Sequence, residues 1–139
     1  MAGYSGTPLP KKLGIRAGHR VLLVNAPAGL ALDPLPPDVE VVVGSEDGEP
    51  SGEPYDVILG CCPDRAALIG HFDGLRARMR IDGGLWLGWP KKSSGVPTDL
   101  TETDVREYGL AAGLVDNKVC AIDETWSGLR FVVRLADRK

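Results

Sequence analysis

The 139-residue sequence predicts an α/β fold: a mostly parallel sheet of about six strands, two main helices on one face, and an antiparallel hairpin strand near the C-terminus. Three observations carry that expectation. Short unbroken apolar runs, Val21-Leu22-Leu23-Val24, Val41-Val42-Val43, Val57-Ile58-Leu59 and Leu85-Trp86-Leu87, have the composition of strands buried on both faces, as parallel strands are. Apolar residues recur at helical spacing in Leu68, Phe72, Leu75 and Met79, and again in Val105, Tyr108 and Ala112. Finally, Leu129, Phe131, Val133 and Leu135 alternate after a turn-forming Glu124-Thr125-Trp126-Ser127-Gly128, the pattern of a strand returning from a hairpin.

In chain order, Thr7 is a candidate N-cap, Pro8 suits a first helical position and Gly14 a stop, so one or two helical turns are expected there. Residues 20–25 form the first strand, ending in Ala26-Pro27-Ala28-Gly29. Pro34, Pro36 and Pro37 leave room for no more than a helical turn before the second strand at 39–43. Residues 44–54, GSEDGEPSGEP, read as an acidic, solvated loop without the spacing of a calcium site. The third strand, 55–60, passes through Cys61-Cys62-Pro63-Asp64 into the clearest helix. The fourth, 85–89, is bounded by Gly83-Gly84 and Pro90. A second helix is expected over 101–112 with Gly113 as its stop, followed by a strand over 114–123.

Totals narrow the function classes. One domain spanning residues 1–139 is expected, and no apolar run approaches the roughly 20 residues of a membrane span. The first residues lack the apolar segment of a secretory signal, so the expectation is a cytoplasmic protein. A net charge of −3 argues against general nucleic-acid binding. Cys61, Cys62 and Cys120 lack paired zinc-site spacing, and His19 and His71 match no metal or triad pattern, so neither metal nor cofactor is expected.

Right-handed crossovers place both helices on one face, leaving the other with only the N-terminal turn and the proline-rich segment as cover. Apolar side chains left wet there cost on the order of 1.5–3 kcal/mol each, so a homodimer or protein partner is expected on that face. In open α/β sheets ligands sit outside the carboxyl ends of the strands, which directs attention to residues 25–29, 61–64 and 89–98. The stretch 83–104, GGLWLGWPKKSSGVPTDLTETD, joins an apolar strand to a helix start through a basic, serine-rich turn. Candidate ligand-binding residues are therefore Asn25, Pro27, Cys62, Trp89, Lys91, Lys92, Ser93, Ser94 and Thr98, suited to a small anion such as a phosphate or carboxylate. Each has a plainer reading beside it. Lys91 and Lys92 suit a solvated loop, Cys61 and Cys62 a buried strand end and Trp89 and Trp126 a core. No residue is assigned a catalytic role.

Leu13-Gly14-Ile15-Arg16-Ala17-Gly18-His19-Arg20-Val21-Leu22 resembles the entry to the first strand of class I S-adenosylmethionine-dependent methyltransferases, a Rossmann-like fold. Tyr55-Asp56-Val57-Ile58-Leu59 and Gly83-Gly84-Leu85-Trp86 look like the fourth and fifth strands of that fold, and the hairpin from Gly113 through Phe131 is similar to its end. TPLPKKLGI, WPKKSSGVPTDLTETDVRE and KVCAIDETWSGLRFV resemble an uncharacterised bacterial family known only as a domain of unknown function. The resemblance implies a truncated, degenerate member. The glycine-rich loop after the first strand is replaced by Asn25-Ala26-Pro27-Ala28-Gly29, and the acidic residue expected after the second strand has only Glu46 as a substitute. Two classes of function follow: a noncatalytic binding or regulatory module, or a small-molecule or methyltransferase-like enzyme taking an anionic ligand at the 89–98 loop.

Overall fold

The computed structural model describes residues 7–30, 32–44 and 53–138. Strands β1 (Arg20–Val24), β2 (Glu40–Gly44), β3 (Tyr55–Cys61), β4 (Met79–Pro90), β5 (Leu114–Ala121) and β6 (Trp126–Val133) form one sheet in the order β2-β1-β3-β4-β6-β5. The first four are parallel, and β6 runs antiparallel to both β4 and β5. Helices α1 (Leu9–Leu13), α2 (Arg65–Ala77) and α3 (Glu102–Ala111) complete the chain.

The two main helices cover the same face, as the crossover rule requires. From α2, Leu68, Phe72 and Leu75 meet Leu22, Val24, Ile58, Leu85 and Leu87 of the sheet, joined by Val105 of α3 and by Leu129 and Phe131 of β6. Both helices begin where side chains replace missing backbone partners. Asp64 accepts from the Ala67 amide at 2.8 Å, and Thr101 and Asp104 form a reciprocal capping box. Asp99 accepts from the Arg65 amide at 2.7 Å, and the Arg65 guanidinium lies 3.1 Å from Asp104, so the starts of α2 and α3 are tied together.

The opposite face is centred on Trp86, which is fully buried. Its indole N–H donates to the Leu13 carbonyl at 3.0 Å, pinning the end of α1 onto β4. Leu9, Leu13 and Ile15 pack there against Val21, Leu23, Val57 and Leu59, and Leu30, Leu32 and Val39 of the proline-rich connection extend the cover. The middle of the face is thus dry without a partner. Each edge strand carries an exposed valine: Val43 of β2 is 80% exposed and Val119 of β5 is 50% exposed.

Several local expectations are corrected. Thr7 does not cap α1; Pro8 occupies that position without a side-chain hydrogen bond, and only Gly14, at φ 82°, closes the helix as expected. Met79 opens β4 rather than continuing α2, because the helix ends at Ala77 with Arg78 as its C-cap and the chain turns straight into the sheet. Gly83 and Gly84 lie inside β4, at a register break opposite Asp56, and do not bound the strand. The β5–β6 turn is shorter than expected, since Asp123 accepts from the Thr125 and Trp126 amides and lets β6 start at Trp126. Leu135 falls beyond β6 and is 81% exposed. The acidic loop and Glu46 lie mostly or wholly outside the described residues.

Two helical glycines separate propensity from packing. A Cβ at Gly70 meets nothing within 4 Å, so Gly70→Ala should raise stability by up to about 1 kcal/mol. At Gly109 a Cβ would lie 2.1 Å from the buried Phe131 ring, so Gly109→Ala should cost about 1–3 kcal/mol through overpacking, despite the same gain in helix propensity. Urea unfolding of the two variants should shift the midpoint in opposite directions.

Candidate functional site

At the carboxyl edge of the parallel strands the chain turns sharply after β1. Asn25 is exposed in the left-handed region, at φ 56°, and Gly29 repeats that conformation at φ 77°. Pro27 is half-buried and its carbonyl accepts from the Leu30 amide at 3.3 Å, so this segment is a proline-stiffened turn. No helix is present between β1 and β2 among the described residues.

The neighbouring strand end is dry. Cys61 faces the Trp86 side of the sheet and Cys62 the side of α2. Both are buried, and burial, ahead of any nearby charge, pushes each thiol up to about 12. The second causes are the neighbouring Cys62 for Cys61 and Asp64 for Cys62. Neither sulfur is a nucleophile at neutral pH. The helix dipole at the α2 start does not overcome this desolvation.

In the 89–98 loop, most candidate side chains are engaged in building the loop itself. Trp89 is buried in the core beneath α2 and α3. Lys92–Ser94 makes a short 3₁₀ turn. Ser94 Oγ donates to the Lys91 carbonyl at 2.7 Å and accepts from the Val96 amide at 3.2 Å. Thr98 Oγ1 accepts from the Leu100 amide at 3.1 Å, setting the approach to α3. The Lys91 amide donates to Thr125 at 2.8 Å, tying this loop to the β5–β6 turn. Lys92 and Ser93 are exposed and Lys91 is half-buried. Of the candidate residues, the structure therefore leaves Asn25, Lys91, Lys92 and Ser93 with polar groups presented to solvent.

A concavity lies at the opposite, amino edge, on the Trp86 face. About 510 Å³ in volume, it runs between the end of α1, at Lys12 to Arg16, and the starts of β3 and β4, with Asn117, Lys118 and Arg130 on its far wall. Periodicity could not find it, because it depends on cross-strand register.

No protein-family model matches the chain, and no curated protein sequence does. Solved structures resemble it in fold. TrmN from Thermus thermophilus superposes with a TM-score of 0.60 at 13% identity, covering 91% of this chain and 47% of TrmN. The N-methyltransferase NodS from Bradyrhizobium japonicum WM9 gives 0.59 at 15% identity over 88% of this chain and 90% of NodS. Fibrillarin from Aeropyrum pernix, solved with natively bound S-adenosyl-L-methionine, gives 0.55 at 14% identity over 94% of this chain and 70% of that one. The chain spans about half the length of TrmN. At these identities the likeness establishes a Rossmann-like, methyltransferase-like fold.

The buried thiols give this region a pH signature. In the unfolded chain they ionise near the ordinary 9.0, whereas in the folded chain they stay neutral to about 12. Their contribution to stability is complete below pH 9.0 and is lost as pH rises from there through about 12, because the unfolded state then binds fewer protons. Urea titrations should show stability falling across that window, with a shallower fall in Cys62→Ala. At neutral pH a thiol reagent should label Cys61 and Cys62 only after unfolding.

Proposed function

We propose that this chain is a noncatalytic binding module built on a methyltransferase-like fold, assembling with a second copy through the free edge of β2. The observation that carries the first half is the connection between β1 and β2. The resemblance places the cofactor's methionine moiety against a glycine-rich loop after the first strand. Here that position holds a turn stiffened by Pro27, and Pro34, Pro36 and Pro37 follow where a crossover helix would wall the cleft. Trp89, Cys62, Ser94 and Thr98 are committed to core and turns, which leaves Asn25, Lys91, Lys92 and Ser93 as the candidate residues that present polar groups there.

The edge of β2 supports the second half. β3 resembles the fourth strand of the fold, yet only two strands precede it, and β2 ends the sheet with its outer side unpaired among the described residues. Such an edge is a template for another strand. Two β2 strands paired antiparallel about Val42 set Val41 against Val43 and Glu40 against Gly44, so no like charges are opposed and the exposed Val43 is covered.

Two measurements test this reading separately. Isothermal titration with S-adenosylmethionine to millimolar concentration should give no saturable heat; micromolar binding would overturn the noncatalytic assignment. Sedimentation at high micromolar protein should show a dimer, and Val43→Lys should be a monomer with unchanged circular dichroism. A monomeric parent, or a dimer that survives the lysine, would remove β2 as the interface.

A further inference from the structure

The amino-edge cleft is organised around an arginine in an unfavourable place. Arg130 is half-buried, and its best-placed neutral partner, Asn117 Oδ1, is 3.4 Å away. Directly opposite Arg130 in the β5–β6 register stands Lys118. Like charges facing across a strand pair repel. No carboxylate lies within ion-pair distance of either residue among the described residues; burial first, then the nearby charge of Arg138, lowers the Arg130 pKa below its ordinary value.

The two acids that line the cleft do not relieve this. Asp56 lies 3.4 Å and Asp82 3.1 Å from Arg80, and Asp56 also accepts from the Arg20 amide at 2.8 Å. The sequence nevertheless makes room for Arg130. A Cβ at Gly84 would come 2.5 Å from its Nε and 2.8 Å from a terminal nitrogen, so the guanidinium lies over a strand position that only glycine leaves open. Arg16 and Lys12, from the end of α1, bring further positive charge to the same cavity.

We propose that this cleft is a binding site for a small, nonaromatic phosphate-bearing anion, held by Arg130 and Lys118 and closed on the α1 side by Arg16. An anion carrying two or more charges can be bridged by Lys118 and Arg130 from their opposed register positions, and arginine's planar fork suits phosphate oxygens. The volume of about 510 Å³ is that of a small-molecule site. Among the described residues no phenylalanine, tyrosine or tryptophan lines it, so they offer no stacking platform for a nucleobase. The site sits at the opposite edge of the sheet from the cofactor position of the methyltransferase-like fold, and it stands whichever way the S-adenosylmethionine titration falls.

Inorganic pyrophosphate is the probe, read by calorimetry and by the thermal midpoint of the full chain, with citrate as the carboxylate comparator. Saturable binding with a raised midpoint is expected, stronger for pyrophosphate than for citrate. Arg130→Gln should weaken it about tenfold or more. Without pyrophosphate that variant should melt no lower than the parent, since it removes a half-buried cation that has no carboxylate partner among the described residues, and this melt also shows that it is folded. Gly84→Ala keeps every charge but displaces the guanidinium, and should weaken binding comparably. Arg134→Gln, which removes an exposed arginine paired with Asp137 outside the cleft, should leave affinity within about twofold. Absence of saturable binding, equal loss in Arg134→Gln, or full affinity in Gly84→Ala would overturn the site. Tighter binding of citrate would overturn its assignment to phosphate.

Discussion

The burial of Trp86 between the sheet and the end of α1 is the contact on which the rest of this structure turns. A truncated α/β sheet has a face that its helices do not reach, and wet aliphatic side chains there would cost more than a marginal fold tolerates. Here a helix of five residues, Leu9–Leu13, suffices, because the largest side chain of the central strand fills the space beneath it and its one polar atom finds the Leu13 carbonyl. Leu30, Leu32 and Val39 then need only to seal the margin. The absence of a helix between β1 and β2 among the described residues becomes tolerable for the same reason.

That arrangement also divides the molecule into two unequal edges. The carboxyl edge, where open α/β sheets ordinarily hold ligands, is tightly internally bonded: Ser94 and Thr98 hold their own loop, and Lys91 is anchored to the β5–β6 turn. Thiols at the end of β3 are kept neutral by desolvation. Charge is instead left unresolved at the amino edge, where α1 overhangs the starts of β3 and β4 and the antiparallel β6 returns Arg130 beside the glycine pair of β4. Stability is spent there without a visible structural return, which is the usual mark of a functional position.

The antiparallel hairpin matters to both halves of this picture. By running β6 between β4 and β5, it places Phe131 against α3 on one face and Arg130 against Trp86 and Lys118 on the other. Gly109 in α3 and Gly84 in β4 are the two positions at which these neighbours require the absence of a side chain. One strand thus couples the packing of the helical layer to the geometry of the cleft.

Residue order alone determined the class of fold, the sequence of elements and the shared face of α2 and α3, since hydrophobic period and the handedness of crossovers are local and chiral properties. The stops at Gly14 and Gly113 were equally legible, being chemistry within four residues. The site was legible only in part. Ser94, Thr98 and Trp89 have residue types that suit ligands and turns or cores alike, and only their hydrogen-bond partners and burial separate the two. Tertiary structure alone decided that Trp86 would meet α1 and that a break opposite Asp56 would bring Gly84 under Arg130. It also decided that Lys118 would face that arginine. These are matters of register between segments far apart in the chain, and a one-residue shift would send each side chain to the other face.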